Sequence, residues 1–434
     1  MRILNTVWSN KALIYILLVT ALFTSSCSEK KADIKWDVAD IVAAKTQPES
    51  SIKANIYVDA TTSMAGFASN RDSVYNSFLN DLEGAIIAGW KNANIGFYKF
   101  GTKAKELTRE QFRTFSTPSF YAEPGIFEKT NIDSVIDAMD SKQVNIVVTD
   151  LFQSDGDVNA MIKSIKEGCF AKGIYMGILG IKSDYSGKIY DAKVPSFPFK
   201  SEKGNEETYR PFYVLIFGDK NNIEHLFEQL KASKGVKENN FVLISKYIVN
   251  KFAVSLTKDK TSKDLNINGQ EDKRYYKQFN FTLKEGGREG VMIADITFEK
   301  IAKAADISDK AINISALRKF AAKGQAAPKN GEESNDITVK ELRVANGNKI
   351  SAKLSVTPGD QPGMYSYLVY VQPSQVNGYI PPKWIDDFSS DNPTPKHDAN
   401  KTLNLKPFIE GLLNANAAVA QPKIVQMIIN IKKL

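Results

Sequence analysis

The sequence predicts an α/β fold: a doubly wound, mostly parallel sheet, followed by a β-rich C-terminal domain of sandwich type. Three observations predict it. Between residues 52 and 232, apolar runs of strand length alternate with stretches of helical periodicity. Runs such as 144–148 are apolar at nearly every position, the pattern of a strand covered on both faces. Beyond residue 250 helical spacing largely stops and strand-like stretches dominate.

The elements follow in order. Residues 52–58 read as a first buried strand. Residues 72–90 carry Val74, Phe78, Leu82, Ile86 and Ile87 at helical spacing. Residues 95–100 alternate as a strand, 132–139 form a short helix, and 144–148 a buried strand. A helix over 158–170 starts after Asp155-Gly156-Asp157. Strands at 174–181 and 212–217 and a helix at 222–232 complete the alternation. The C-terminal strands are predicted at 276–283, 291–298, 337–344, 350–356, 365–371 and 424–431, with helices at 311–323 and 405–413. Polar connectors at 258–274, 323–335 and 389–401 separate these pieces.

The first 27 residues stand apart. Arg2 and Lys11 precede 12 residues, 12–23, that are apolar except for Thr20, a run too short to span a bilayer. Thr24-Ser25-Ser26-Cys27 then resembles a bacterial lipoprotein signal, which implies that Cys27 is lipidated and anchors the mature chain. Thr24 stands where that family usually has Leu, and an ordinary cleaved secretory signal is the alternative. The expected organisation is a signal over 1–27, a tether over 28–51, a first domain over 52–250 and a second over 251–434.

Composition narrows the function classes. The 434 residues carry a formal charge of +8, and removal of Arg2 and Lys11 leaves +6, spread through mixed-sign runs. No basic stripe with interleaved aromatics occurs, so nucleic acid is not expected as a partner. With Cys27 lipidated, Cys169 is alone in an amphipathic stretch, and no disulfide framework or cysteine metal site is possible. The mature chain has only His225 and His397, neither beside a candidate nucleophile in sequence, so it is expected not to be an enzyme.

The most informative stretch is Asp59-Ala-Thr61-Thr-Ser63, which follows the first strand. One carboxylate and two hydroxyls in one loop are hard oxygen donors, suited to Mg²⁺ or Mn²⁺. The same residue types also cap helices. The strand 145–148 delivers Thr149 and a second carboxylate, Asp150, to the same kind of strand end. Thr130 precedes the helix at 132, where a threonine is equally an ordinary N-cap.

These three loops, in this order, resemble the metal loops of von Willebrand factor type A domains, which include the integrin I domains. Leu151 stands where that family commonly has glycine, and Thr61 where serine is common. The resemblance implies that Asp59, Thr61, Ser63, Thr130 and Asp150 hold Mg²⁺ or Mn²⁺, and that a carboxylate of a protein partner completes the coordination. A 30-residue excursion at 182–211 leaves the same strand ends and carries Tyr185, Tyr190, Phe197, Phe199, Tyr209 and Arg210. These are residue types that anchor interfaces, or that pack back onto their own domain.

The expectation is therefore an exported, membrane-anchored, non-catalytic binding protein of the bacterial cell envelope, attached by lipid at the outer membrane or a periplasmic face. Two alternatives remain: a structural envelope lipoprotein binding through its β-rich domain, and a metal-dependent hydrolase.

Overall fold

The computed structural model describes residues 34–42, 50–151, 158–191, 194–391 and 398–434. The expected signal, Cys27, residues 155–157 and His397 lie outside the described residues.

The chain opens with β1 (Ser51–Asp59), whose alternate and then continuous burial matches its apolar run. A short α1 (Ala65–Ala68) follows, then α2 (Val74–Gly89), which Ser73 caps by accepting from the Asn76 amide. Next come β2 (Asn92–Phe100), β3 (Ala104–Leu107), the one-turn α3 (Asp133–Ile136), β4 (Gln143–Thr149), α4 (Val158–Gly168) and β5 (Tyr175–Ser183). The excursion expected without regular structure is a hairpin, β6 (Ser186–Asp191) and β7 (Val194–Lys200). Then β8 (Arg210–Gly218), α5 (Lys220–Leu230) and β9 (Phe241–Ile244) follow.

Seven of these nine strands form one sheet in the order β3-β2-β1-β4-β8-β5-β9, and β6 and β7 pair with each other. The seven-stranded sheet is mixed, and this corrects the expected doubly wound parallel sheet. β1 is parallel to β2 and β4, but β3, β8 and β9 run antiparallel to their neighbours. The physical reason lies between β5 and β8. A parallel return needs a long crossover, usually a helix, whereas the hairpin reverses the chain, so β8 enters between β4 and β5 in the opposite sense.

The second half of the expected fold class is corrected as well. Strands β10 (Val249–Lys258), β11 (Leu265–Asp272), β12 (Lys277–Leu283), β13 (Gly290–Lys300), β14 (Ile312–Ala322), β15 (Ile337–Ala345), β16 (Lys349–Val356), β17 (Gly363–Pro373) and β18 (Val425–Lys433) make two sheets. Their orders are β10-β13-β16-β15 and β11-β12-β18-β17-β14, the latter extended by Glu332–Glu333. Apolar residues from both sheets meet in one core that includes Leu256, Met292, Leu354, Phe281, Val369 and Ile429. β14 occupies the stretch expected as a helix at 311–323. Its neighbour β17 pairs along all of it, from Ile312↔Pro373 to Ala322↔Gly363, and this pairing overrides local helical propensity.

The chain does not stay with these sheets. α6 (Trp384–Phe388) and α7 (Leu405–Ala420) return to cover one face of the seven-stranded sheet. Trp384, Phe388, Phe408, Ile409 and Leu412 pack there with Val147, Ile178 and Leu215. The opposite face is covered by α2 and α5 through Phe78, Leu82, Ile86, Ile223 and Leu226. A β module simply following an α/β domain does not describe this chain. Its described residues are 42% strand and 24% helix, β-dominated and arranged in several sheets.

Candidate functional site

β1 and β4 are parallel and in register from Lys53↔Gln143 to Val58↔Val148. Their carboxyl ends therefore deliver Asp59 and Asp150 to the same rim of the sheet. The loop after β2 is drawn in beside them: the Ala60 amide donates to the Phe100 carbonyl at 2.7 Å, and the Asn131 amide to the Gly101 carbonyl at 2.9 Å. A side chain at Gly101 would collide with the Ile126 carbonyl, so this close approach of the loops depends on glycine there.

The Asp59 carboxylate is fully buried at the centre of a cluster of hydroxyls. Its Oδ1 accepts from the Thr61 amide at 3.0 Å and from Thr61 Oγ1 at 2.7 Å. Its Oδ2 accepts from Thr149 Oγ1 at 2.7 Å and from Thr130 Oγ1 at 3.2 Å. Thr61 Oγ1 lies 3.2 Å from Ser63 Oγ and 3.3 Å from Thr130 Oγ1. Five side chains from three loops thus share one polar centre. Asp150, also buried, acts on it through its charge. Burial, and after it the Asp150 charge, push the Asp59 carboxyl up to about 7, against the opposing pull of its Thr61 and Thr149 donors.

The helix-cap alternatives are settled by where the hydroxyls point. Thr61 precedes a turn of 3₁₀ helix at Thr62–Met64 without capping it through its side chain. The N-cap of α3 is Ile132, and Thr130 turns to Asp59 instead. All five residues expected as donors lie at this rim. Sequence reasoning missed Thr149 as a donor, although its place at the end of β4, on the same alternating face as Asn145 and Val147, was the available signal. Leu151 stands at φ 58°, the left-handed region, with its amide donating to Thr149 Oγ1 at 3.2 Å. That conformation costs a non-glycine residue roughly 1–2 kcal/mol and holds the turn after Asp150 under strain.

The aromatics of the excursion are placed differently from one another. Tyr185 is buried, its hydroxyl 3.1 Å from the Ser63 carbonyl and 2.6 Å from that of Lys188. Arg210 is buried too, donating to the carbonyls of Ala399 (2.7 Å) and Lys401 (3.1 Å), with its guanidinium 5.8 Å from the Tyr185 ring. These two are therefore corrected from partner contacts to internal struts. Phe197, Phe199 and Tyr209 are half-buried against the core beneath, and Tyr190 is half-buried on β6. Below the rim, the hydroxyls of Tyr75 and Tyr121 lie 3.1 Å apart, both held well above the usual phenol range chiefly by burial.

No family model matches this chain, and no curated protein matches it. Among the described residues, no group of three or more His, Cys, Asp or Glu side chains is placed to hold a metal ion. With the mixed sheet and the dominance of strand, these findings correct the resemblance to type A domains. What remains is the rim itself: two carboxylates and four hydroxyls, an oxygen set that does not depend on membership of any family.

Proposed function

We propose that this chain is an exported, membrane-anchored binding protein that takes Mg²⁺ or Mn²⁺ at the Asp59 rim and, through the ion, a carboxylate of a protein partner. The observation that carries the reading is the network of 2.7–3.3 Å contacts that joins Asp59 to Thr61, Thr130 and Thr149, and Thr61 to Ser63 and Thr130, beside Asp150. Two buried carboxylates repel, and a divalent cation relieves that repulsion. The donors are all hard oxygens, which suit Mg²⁺ and Mn²⁺ and disfavour softer metals. Asp59, Asp150 and the hydroxyls would hold the ion. Mg²⁺ prefers six oxygen ligands and keeps several waters, so a partner carboxylate can replace one of them.

The test is calorimetry on residues 28–434. Binding of Mg²⁺ or Mn²⁺ is expected, and its loss in Asp59→Ala. Equal binding by both chains sinks the site. Capture of a partner from an envelope extract is expected to disappear in EDTA.

A second reading, a structural lipoprotein acting through its C-terminal sheets, draws on the exposed apolar side chains Ile267 on β11 and Val339 on β15, both edge strands. Partner capture that survives both EDTA and Asp59→Ala would favour it. The hydrolase alternative has less to work with, because His225 hydrogen-bonds the Gly89 carbonyl at 2.6 Å, at the far end of α2 from the rim.

A further inference from the structure

Residues 34–42 are not a free tether. They cross from the core between the sheets, where Val42 packs, to the outer face of the six-stranded sheet, and their attachments have an order. Val42 bridges Val249 at the start of β10. The Ala39 carbonyl accepts from Gln426 Nε2 at 2.7 Å, near the start of β18. Trp36 reaches furthest: its Nε1 donates to Ser366 Oγ at 2.8 Å, and its ring lies 4.6 Å from Lys319 Nζ. Lys319 Nζ also donates to the Lys35 carbonyl at 2.7 Å. Trp36 sits over a cross-strand polar row, Asn280–Asn430–Ser366–Lys319, in direct register through β12, β18, β17 and β14. Ser366 is buried although it faces away from the core between the sheets.

The direction of this strap follows from strand polarity. β4 and β5 are both antiparallel to β8, hence parallel to each other, and β9 is antiparallel to β5. β9 therefore ends at the rim opposite Asp59 and Asp150, and β10 and the strap's Val42 end lie at that junction. Along β18 the row at Asn430 is four residues beyond Gln426, about 13 Å further from the junction. The strap thus starts at the end of the first sheet opposite the Asp59 rim and follows β18 from the junction toward its own N-terminal end. The rim itself lies one strand length, about 26 Å, from the junction, at the other end of the first sheet.

We propose that this docked strap sets the orientation of the anchored chain: the C-terminal sheets stand next to the lipid bilayer and the Asp59 rim faces away from it. The proposal rests on the lipid-anchor reading of Cys27. From Cys27 to Ile34 the chain can span at most about 25 Å, so the anchor keeps the Trp36 end of the sheets at the membrane surface. The cation site is then presented to partners outside that membrane, not to its lipids.

The experiment uses the full-length acylated chain in phosphatidylethanolamine–phosphatidylglycerol vesicles carrying a headgroup acceptor dye. Donor dyes are placed at N330C, beside the strap, and at K103C, beside the rim, both exposed positions. Energy transfer several-fold stronger from position 330 is expected, and Trp36→Ala is expected to narrow the difference. Equal or stronger transfer from position 103 overturns the orientation, and a difference untouched by Trp36→Ala overturns the role of the strap. Metabolic labelling with palmitate separates the two failures. A chain without the label removes the anchor reading together with the orientation, whereas a labelled chain with reversed transfer removes the orientation alone.

Discussion

The Tyr185 hydroxyl lies 3.1 Å from the Ser63 carbonyl, a contact between residues 122 apart in the chain. It joins the hairpin β6–β7 to the loop that carries Asp59, Thr61 and Ser63. A second close approach reinforces it: a side chain at Gly66 would stand 2.3 Å from the Tyr185 ring, and one at Gly187 would stand 2.9 Å from Gly66 Cα. An isolated two-stranded hairpin is marginal in water, so this one owes its order to the site loop, and the loop is held in return.

Tyr185→Phe keeps the ring and removes the hydroxyl. A single hydrogen bond is worth about 0.5–1.5 kcal/mol, so Mg²⁺ affinity is expected to fall roughly three- to tenfold while the far-ultraviolet circular dichroism stays unchanged. Titration calorimetry beside the unaltered chain checks this, and an unchanged affinity would mean the hairpin does not hold the loop.

Gly66→Ala forces a methyl group into the Tyr185 ring. Overpacking of this kind costs about 1–3 kcal/mol, and urea denaturation is expected to show a loss in that range. Gly84→Ala is the control, since nothing lies near a side chain there. Similar midpoints for the two variants would show that the hairpin moves aside freely.

Asp59 gives stability a pH dependence of definite sign. Its carboxyl is raised to about 7 by burial and by Asp150, whereas an unfolded aspartate titrates near 4. Between about pH 4 and 7 the folded chain therefore holds a proton that the unfolded chain releases. That contribution is fully present below pH 4 and is lost as pH rises through 7. Without metal, the melting temperature of the native chain relative to Asp59→Asn is expected to fall from pH 5 to pH 8. Mg²⁺ affinity should rise over the same window, because the ion competes with the proton. Parallel melting curves for the two chains at both pH values would remove Asp59 as the titrating group.

Cys169 is buried beside Met139, 3.8 Å from its sulfur, and burial pushes the thiol up to about 12. A thiol so held is almost wholly protonated and inert. Aromatic disulfide reagents at pH 8 are expected to label it only after denaturation, and fast labelling of the folded chain would show that this face opens readily.

Much of the local structure was legible in the residues. The strands at 51–59, 143–149 and 210–218 follow from apolar runs, and the donors Asp59, Thr61, Ser63, Thr130 and Asp150 from polar residues at their ends. The hairpin at 186–200 was not legible, because Pro195, Pro198 and three lysines mask its alternation. Strand β14 misled for a different reason: 312–322 has helical residue types, and only eleven paired residues of β17 make it a strand.

By itself, the sequence determined which segments are apolar, where each run stops, and which oxygen-bearing side chains stand at the stops. Burial of apolar surface drives those choices and acts within a short window of chain. Strand direction, the insertion of β8, the return of α7 to the first sheet and the strap at Trp36 were decided only by tertiary structure. Each depends on pairing or packing between residues tens to hundreds of positions apart, and no local pattern encodes such a partner. The Asp59 rim belongs to both accounts, its donors set by local sequence and their convergence by parallel register between β1 and β4.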